Sequence, residues 1–200
     1  VALSSSIEKF RERTTAWEDI GIGYAWFSDT FIVYTADYSG QSFAALDNIA
    51  EWFSYFLIWV NVPLRGAISC DEFYADSENN LFFGNALIEA YEYGEAQDWI
   101  GFLLCPSSVK RLEELGLPVE KRLYYAYADI PYNKRSSNLD QNLPACVLGN
   151  WVGVSSNDEN PIINKLREMK ERITDKKIRP KYDRTIEFLQ KNKRVLVLDS

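Results

Sequence analysis

Ile20-Gly-Ile-Gly-Tyr-Ala-Trp-Phe-Ser-Asp29-Thr-Phe-Ile-Val-Tyr-Thr35 is the stretch on which the fold turns. Two runs of β-branched and aromatic residues flank Ser28-Asp29, which reads as strand, two-residue turn, strand. Upstream, Ile7, Phe10 and Trp17 stand among Glu8, Lys9, Arg11, Glu12 and Arg13, behind three serines at 4–6, which predicts a first helix. Downstream, residues 39–41 open a helix reaching about Val60, with Phe43, Leu46, Ile49, Ala50, Phe53 and Leu57 at helical spacing.

Further along, 63–70 reads as a short buried strand containing an arginine, and 71–83 as a second hairpin with its polar turn at 76–80. Gly84 precedes a helix over 85–94, and 99–104 reads as a strand. Pro106-Ser-Ser108 opens a helix that stops at Gly116. Strands are expected at 122–130 and 145–148, around a polar stretch at 133–142. Helices are expected at 157–174 and 181–191, with a last apolar piece at 195–198. The order predicts an α+β fold of the ferredoxin-like kind, a mostly antiparallel sheet with helices on one face and C-terminal helices added. Residues 1–155 read as the core domain and 156–200 as a basic helical extension.

Composition narrows the chemistry. The 200 residues contain no histidine, which excludes Ser-His-Asp and Cys-His nucleophilic catalysis and imidazole acid–base work. Cys70, Cys105 and Cys146 are odd in number and show no CxxC, so neither a metal knuckle nor a disulfide framework is expected, and a reducing cytoplasm fits. Net charge is −7, unevenly spread: residues 161–200 carry 12 Lys+Arg against 6 Asp+Glu, leaving 10 basic and 23 acidic residues in the first 160. That acidic body argues against nucleic acid as a partner, and the basic end reads as solvated helices resting on it. The longest apolar stretch, near 50–62, is interrupted by Glu51, Ser54 and Asn61 and is too short to span a bilayer. Aromatic residues at 14% exceed what a core of this size needs and leave some for a cleft or an interface.

Several polar residues stand where chemistry could use them. Asp29 at a hairpin tip presents a carboxylate beside the strand ends, although an aspartate at a two-residue turn is ordinary. Arg65 in an apolar strand must meet a carboxylate, a phosphate or a ligand; Glu72 and Asp71 are the nearby acidic candidates. Tyr24 and Trp26 could stack on a ring or face the core. Asn85 and Glu89 share a helical face, open either to a cleft or to a second copy. Lys134, with Arg135, sits in a polar loop, where it could neutralise phosphate or face solvent.

Four segments occur in series: Phe27-Ser-Asp29-Thr, Pro63-Leu-Arg65-Gly-Ala-Ile-Ser69, Gly84-Asn-Ala-Leu-Ile-Glu-Ala-Tyr91 and Tyr127-Ala-Asp-Ile-Pro-Tyr-Asn-Lys134. Together, over roughly residues 20–151, they resemble class III nucleotidyl cyclases, and most closely the bacterial pyrimidine cyclases of Pycsar anti-phage systems. The resemblance implies a cytoplasmic homodimer with shared active sites that converts UTP or CTP to the 3′,5′-cyclic nucleotide and pyrophosphate, using two Mg²⁺ or Mn²⁺ ions. It places Asp29 at the second of two metal-binding aspartates. The first would lie on a strand ahead of the helix near Ser4, expected upstream of Val1. It makes Arg65 a catalytic and base contact and gives Tyr24, Asn85 and Lys134 substrate-facing positions; Trp52, Phe53, Phe56 and Trp59 fit a homodimer face, and a hydrophobic core under the sheet would explain the same residues. The positions where purine cyclases carry an Asn, an Arg and an adenine-reading Lys hold Ile88, Glu92 and Ala25. This suits a pyrimidine reader, or a catalytically silent cyclase-like module that binds a nucleotide or protein.

Overall fold

A computed structural model describes residues 21–119, 125–133, 138–147 and 161–192. The expected first helix, the loop with Lys134 and the apolar piece at 195–198 lie outside them. In chain order the elements are β1 (Gly23–Phe27), β2 (Thr30–Tyr34), α1 (Gly40–Trp59), β3 (Gly66–Ile68), β4 (Tyr74–Asp76), β5 (Leu81–Phe83), α2 (Asn85–Ala96), β6 (Phe102–Leu104), α3 (Pro106–Glu114), β7 (Ala126–Asp129), β8 (Asn142–Cys146), α4 (Pro161–Glu171) and α5 (Arg179–Lys191). The chain is an α+β protein.

The centre is a four-stranded mixed sheet in the order β3-β6-β8-β7, in which β3 runs parallel to β6 and the other neighbours are antiparallel. Two hairpins, β1-β2 and β4-β5, form separate ribbons. β8 begins three residues earlier than the sequence suggests and contains Pro144, which ordinarily argues against an interior strand. Its register explains the tolerance. β6 pairs β8 only at Cys146 and Ala145, whereas Pro144 lies opposite Tyr127 of β7 alone, so it sits where β8 has a single partner.

The central sheet carries helices on both faces rather than one. Leu103, Leu143, Ala145 and Val147 enter a core with Ile162, Ile163, Leu166 and Met169 of α4 and with Tyr182 and Leu189 of α5. Leu104, Cys146 and Ile68 turn to the other side, where they meet Leu112 of α3 and Tyr125. Phe-Leu-Leu in β6 has no polar alternation because neither face is wet. The C-terminal helices are docked as well as packed: the Arg184 guanidinium pairs with Asp98, its Nε–H donates to the Asp98 carbonyl (2.7 Å), and the Ile100 N–H donates to Thr185 Oγ1 (2.9 Å).

α1 forms because Ser39 caps it, accepting the Ser42 N–H at 3.2 Å, while Asp37 accepts the Ser39 N–H at 2.9 Å. The Ser42 hydroxyl and that N–H hold the Asp37 carboxyl below its usual range. One stripe of α1, Ile49, Phe53 and Leu57, makes a third cluster under the β1-β2 hairpin with Tyr24, Phe31 and Val33. Phe53 is thus a core residue, the second of the two places its sequence position leaves open. Trp52 and Phe56 stack on each other (5.8 Å), and Trp59 is exposed. Among the described residues no helix is long and apolar enough to cross a membrane.

Candidate functional site

The β1-β2 register, Phe27 opposite Thr30 through Gly23 opposite Tyr34, leaves Ser28 and Asp29 as the two turn residues. Ser28 has φ +53° and Asp29 does not share the positive value, the pattern of a type II′ turn. Trp26 Nε1–H donates to the Ser28 carbonyl (2.6 Å) and locks the tip. Phe27 meets Phe82 of β5 edge-to-face at 5.5 Å, joining the two hairpins. Asp29 is held out at this tip, exposed.

Asp29 borders a cavity of about 1510 Å³ running between β2 and β3. Phe43, Leu46, Ala50 and Phe53 of α1 line it, as do Leu87 and Ala90 of α2. Small-molecule pockets commonly fall near 300–1,000 Å³, so this cleft exceeds what one such ligand fills. A second cavity of about 510 Å³ lies between the hairpins and α2, lined by Phe27, Ile32, Phe82, Ile88, Tyr91 and Glu92. Ile88 and Glu92 therefore face a pocket rather than bulk solvent alone.

Arg65 also borders the larger cavity. The Arg65 ion-pair partner is Glu95 (Nη2 to Oε1, 2.7 Å), not Glu72 or Asp71, and Nη1 donates to the carbonyls of Gln97 (2.8 Å) and Glu95 (3.2 Å). The guanidinium thus caps the last carbonyls of α2, where a cation is favourable. Among the described residues its Nε–H and one Nη2–H have no acceptor, which leaves them for a ligand.

The other expected residues are dispersed. Tyr24 packs toward Ile49, Phe53 and Leu57 and does not border the larger cavity, whereas Trp26, two residues on, does. Asn85 is the exposed first residue of α2, outside both cavities. Glu89, expected to reach a cleft or a partner, instead accepts the Ser107 hydroxyl and its N–H (3.3 Å), and Ser107 Oγ accepts the Cys70 N–H (2.8 Å). That network ties α2 to the start of α3. Gly84 ahead of α2 is required: its φ is +137°, and a Cβ there would stand 2.2 Å from the Glu72 carbonyl oxygen.

Gln97 was not singled out in the sequence, yet it ties the end of α2 to the start of β3. Fully buried, it donates to the carbonyls of Gly66 (2.9 Å) and Tyr93 (3.1 Å) and accepts from Trp99 Nε1 (2.8 Å). A lone amide between Ala96 and Trp99 was the available signal. Among the described residues no group of three or more His, Cys, Asp or Glu side chains converges as a metal set would. Asp29 supplies one carboxylate oxygen donor set by itself, which suits a hard cation sharing its shell with phosphate oxygens but does not build a two-ion site. Comparison with protein-family models, curated proteins and solved structures finds no match.

Proposed function

We propose that the chain binds a pyrimidine nucleoside triphosphate beside Asp29 and cyclises it, as a cytoplasmic second-messenger synthase of bacterial anti-phage defence on a ferredoxin-like core. The ribose 3′-oxygen attacks the α-phosphorus, the bond to the β-phosphate oxygen breaks, pyrophosphate departs and the 3′-hydroxyl proton is released. The observation that carries the reading is the Asp29 carboxylate, held out on a locked turn at the border of the cleft that Arg65 also lines. The four sequence segments in series support it.

A divalent ion, Mg²⁺ or Mn²⁺, would supply charge neutralisation at the triphosphate when bound. The described residues contribute Asp29 toward it, and no step is routed through a second ion. Arg65 contributes a fixed positive charge and two remaining N–H groups, positioned by its bonds to Glu95 and Gln97. A second copy would pack on the exposed apolar residues Tyr74, Leu81, Phe83, Ile88 and Tyr91 of β4, β5 and α2.

One observation favours a second reading. A single carboxylate at the site also suits a catalytically silent module that binds a nucleotide and regulates a partner. Incubation with each of ATP, GTP, CTP and UTP plus Mn²⁺, followed by chromatography of the products, separates the two. Cyclic UMP or cyclic CMP is expected, with turnover falling on the order of 100-fold or more in Asp29→Ala. A melting-temperature rise with triphosphate but no product establishes the silent module. Cyclic AMP or cyclic GMP as main product overturns the substrate, and undiminished turnover in Asp29→Ala overturns the site.

A further inference from the structure

α5 grips three consecutive residues between α2 and β6. The Arg184 guanidinium pairs with the Asp98 carboxylate, and its Nε–H donates to the Asp98 carbonyl (2.7 Å). Phe188 packs edge-to-face on Trp99 (4.8 Å), and Thr185 Oγ1 accepts the Ile100 N–H (2.9 Å). The residues just ahead of these three hold Arg65. Its Nη1 donates to the carbonyls of Glu95 and Gln97, and its Nη2 meets the Glu95 carboxylate. A second route runs through side chains. Trp99 Nε1–H donates to the Gln97 side-chain oxygen, and the Gln97 amide donates to the carbonyl of Gly66, the next residue after Arg65.

We infer that α5 sets the position of the Arg65 guanidinium, with Arg184 as a positioning residue that acts through Asp98 and Gln97. The Gln97 carbonyl and the Asp98 N–H share one planar peptide. Arg65 caps that carbonyl, and the N–H donates to the Pro131 carbonyl just beyond β7 (2.6 Å). Asp98 is thereby held at its N–H, its carbonyl and its carboxylate, and Arg184 makes the last two of these bonds. Without them the peptide that Arg65 caps is free to tilt. Arg65 then keeps only its bonds to Glu95, whose carboxylate is exposed. The link is a contiguous chain of bonded groups, the kind that carries coupling between distant parts of a fold. The C-terminal helices, read from the sequence as an extension of the core, thus belong to the site: whatever lifts α5 off Asp98 loosens the cation beside the cleft. The effect on triphosphate rests on the nucleotide reading; the ordering of Arg65 does not.

The Nε–H resonance of Arg65, identified by its disappearance in Arg65→Gln, reads the ordering directly. In Arg184→Gln its order parameter is expected to fall below about 0.6 while the fold is kept. Lys170→Gln breaks the pair with Asp183 that ties α4 to α5 without touching Asp98, and it leaves Arg65 as ordered as in the parent. Titration with UTP and with CTP, each with Mn²⁺, reads the consequence. Arg184→Gln weakens binding roughly five- to tenfold. In an Arg65→Gln background it weakens binding no further, because the group it acts through is gone. If Arg184→Gln does not fold, Asp98→Asn removes the same ion pair from the other side and replaces it in every measurement. Unchanged order at Arg65 overturns the inference. Equal loosening in Lys170→Gln overturns it too, by reducing the role of α5 to packing, and so does an additive loss of affinity in the double variant. A parent that binds neither triphosphate overturns the nucleotide reading alone, and the Arg65 resonance still decides this one.

Discussion

The two halves of the molecule solve the same burial problem to different degrees. Around β3-β6-β8-β7, Leu103 and Leu104 are completely inaccessible, and both sheet faces are closed by helices. Around the hairpins and α2, Ile88 is 57% and Tyr91 62% exposed, and the cleft between β2 and β3 stands open. The same aromatic richness therefore serves stability in one half and leaves surface for recognition in the other. Trp99 and Tyr91, eight residues apart, stand on opposite sides of that divide.

The largest expected effect breaks the closed half. Trp99 is 1% exposed, packs edge-to-face on Phe188 at 4.8 Å and donates to Gln97. Trp99→Ala removes that packing and strands the Gln97 carbonyl oxygen, costing about 3–5 kcal/mol and lowering Tm by roughly 10 °C. Tyr91→Ala stays within about 0.5 kcal/mol at protein concentrations too low for a second copy to pack on it. Thermal unfolding of both variants, followed by circular dichroism, measures the contrast; comparable losses would show that the α2 surface is buried in solution.

What the sequence could reveal follows the same division. Both hairpins, α1 and the helix opened by Pro106 were readable because turn residues, caps and hydrophobic spacing are local signals. The partner of Arg65 was not, because Glu95 lies thirty residues away and Glu72 looked nearer only along the chain. Pro144 hid the start of β8, since its tolerance depends on which neighbour each residue of β8 pairs with. Helices on both sheet faces were missed because pairing partners, not element order, decide which face a helix covers. Asp29 was readable as a turn residue; its position on the cleft depended on where β3 is placed.

A middle-sized effect sharpens the comparison through pH. Glu51 of α1 is half-buried, and burial, then the nearby Asp47 charge, pushes its carboxyl up to about 6 from 4.5. Its Oε1 is buried and has no hydrogen-bond partner among the described residues. The folded state therefore holds this proton more tightly than the unfolded chain does. Stability from this group is complete below pH 4.5, falls as pH rises from 4.5 to 6, and stays lower above that. Glu51→Gln should stabilise the protein at pH 8 by up to about 1 kcal/mol, allowing for solvent screening, with no gain near pH 4. Melting curves of parent and variant at the two pH values check this; a gain equal at both would assign it to packing instead of charge.

The smallest effect lies at the tip of the open half. Ser28 holds φ +53° without the glycine that such a position favours, and the Trp26 bond to its carbonyl keeps it there. A Cβ in that region costs energy that Ser28→Gly recovers, partly offset by the greater freedom of glycine in the unfolded chain. The net expectation is a gain of about 0.5 kcal/mol, read as a Tm rise of one or two degrees. Since the bond from Trp26 is to the backbone, the turn keeps its shape and Asp29 its position, so any activity found should survive the substitution. A loss of activity with stability intact would mean that the serine hydroxyl itself, and not the backbone it sits on, serves the site.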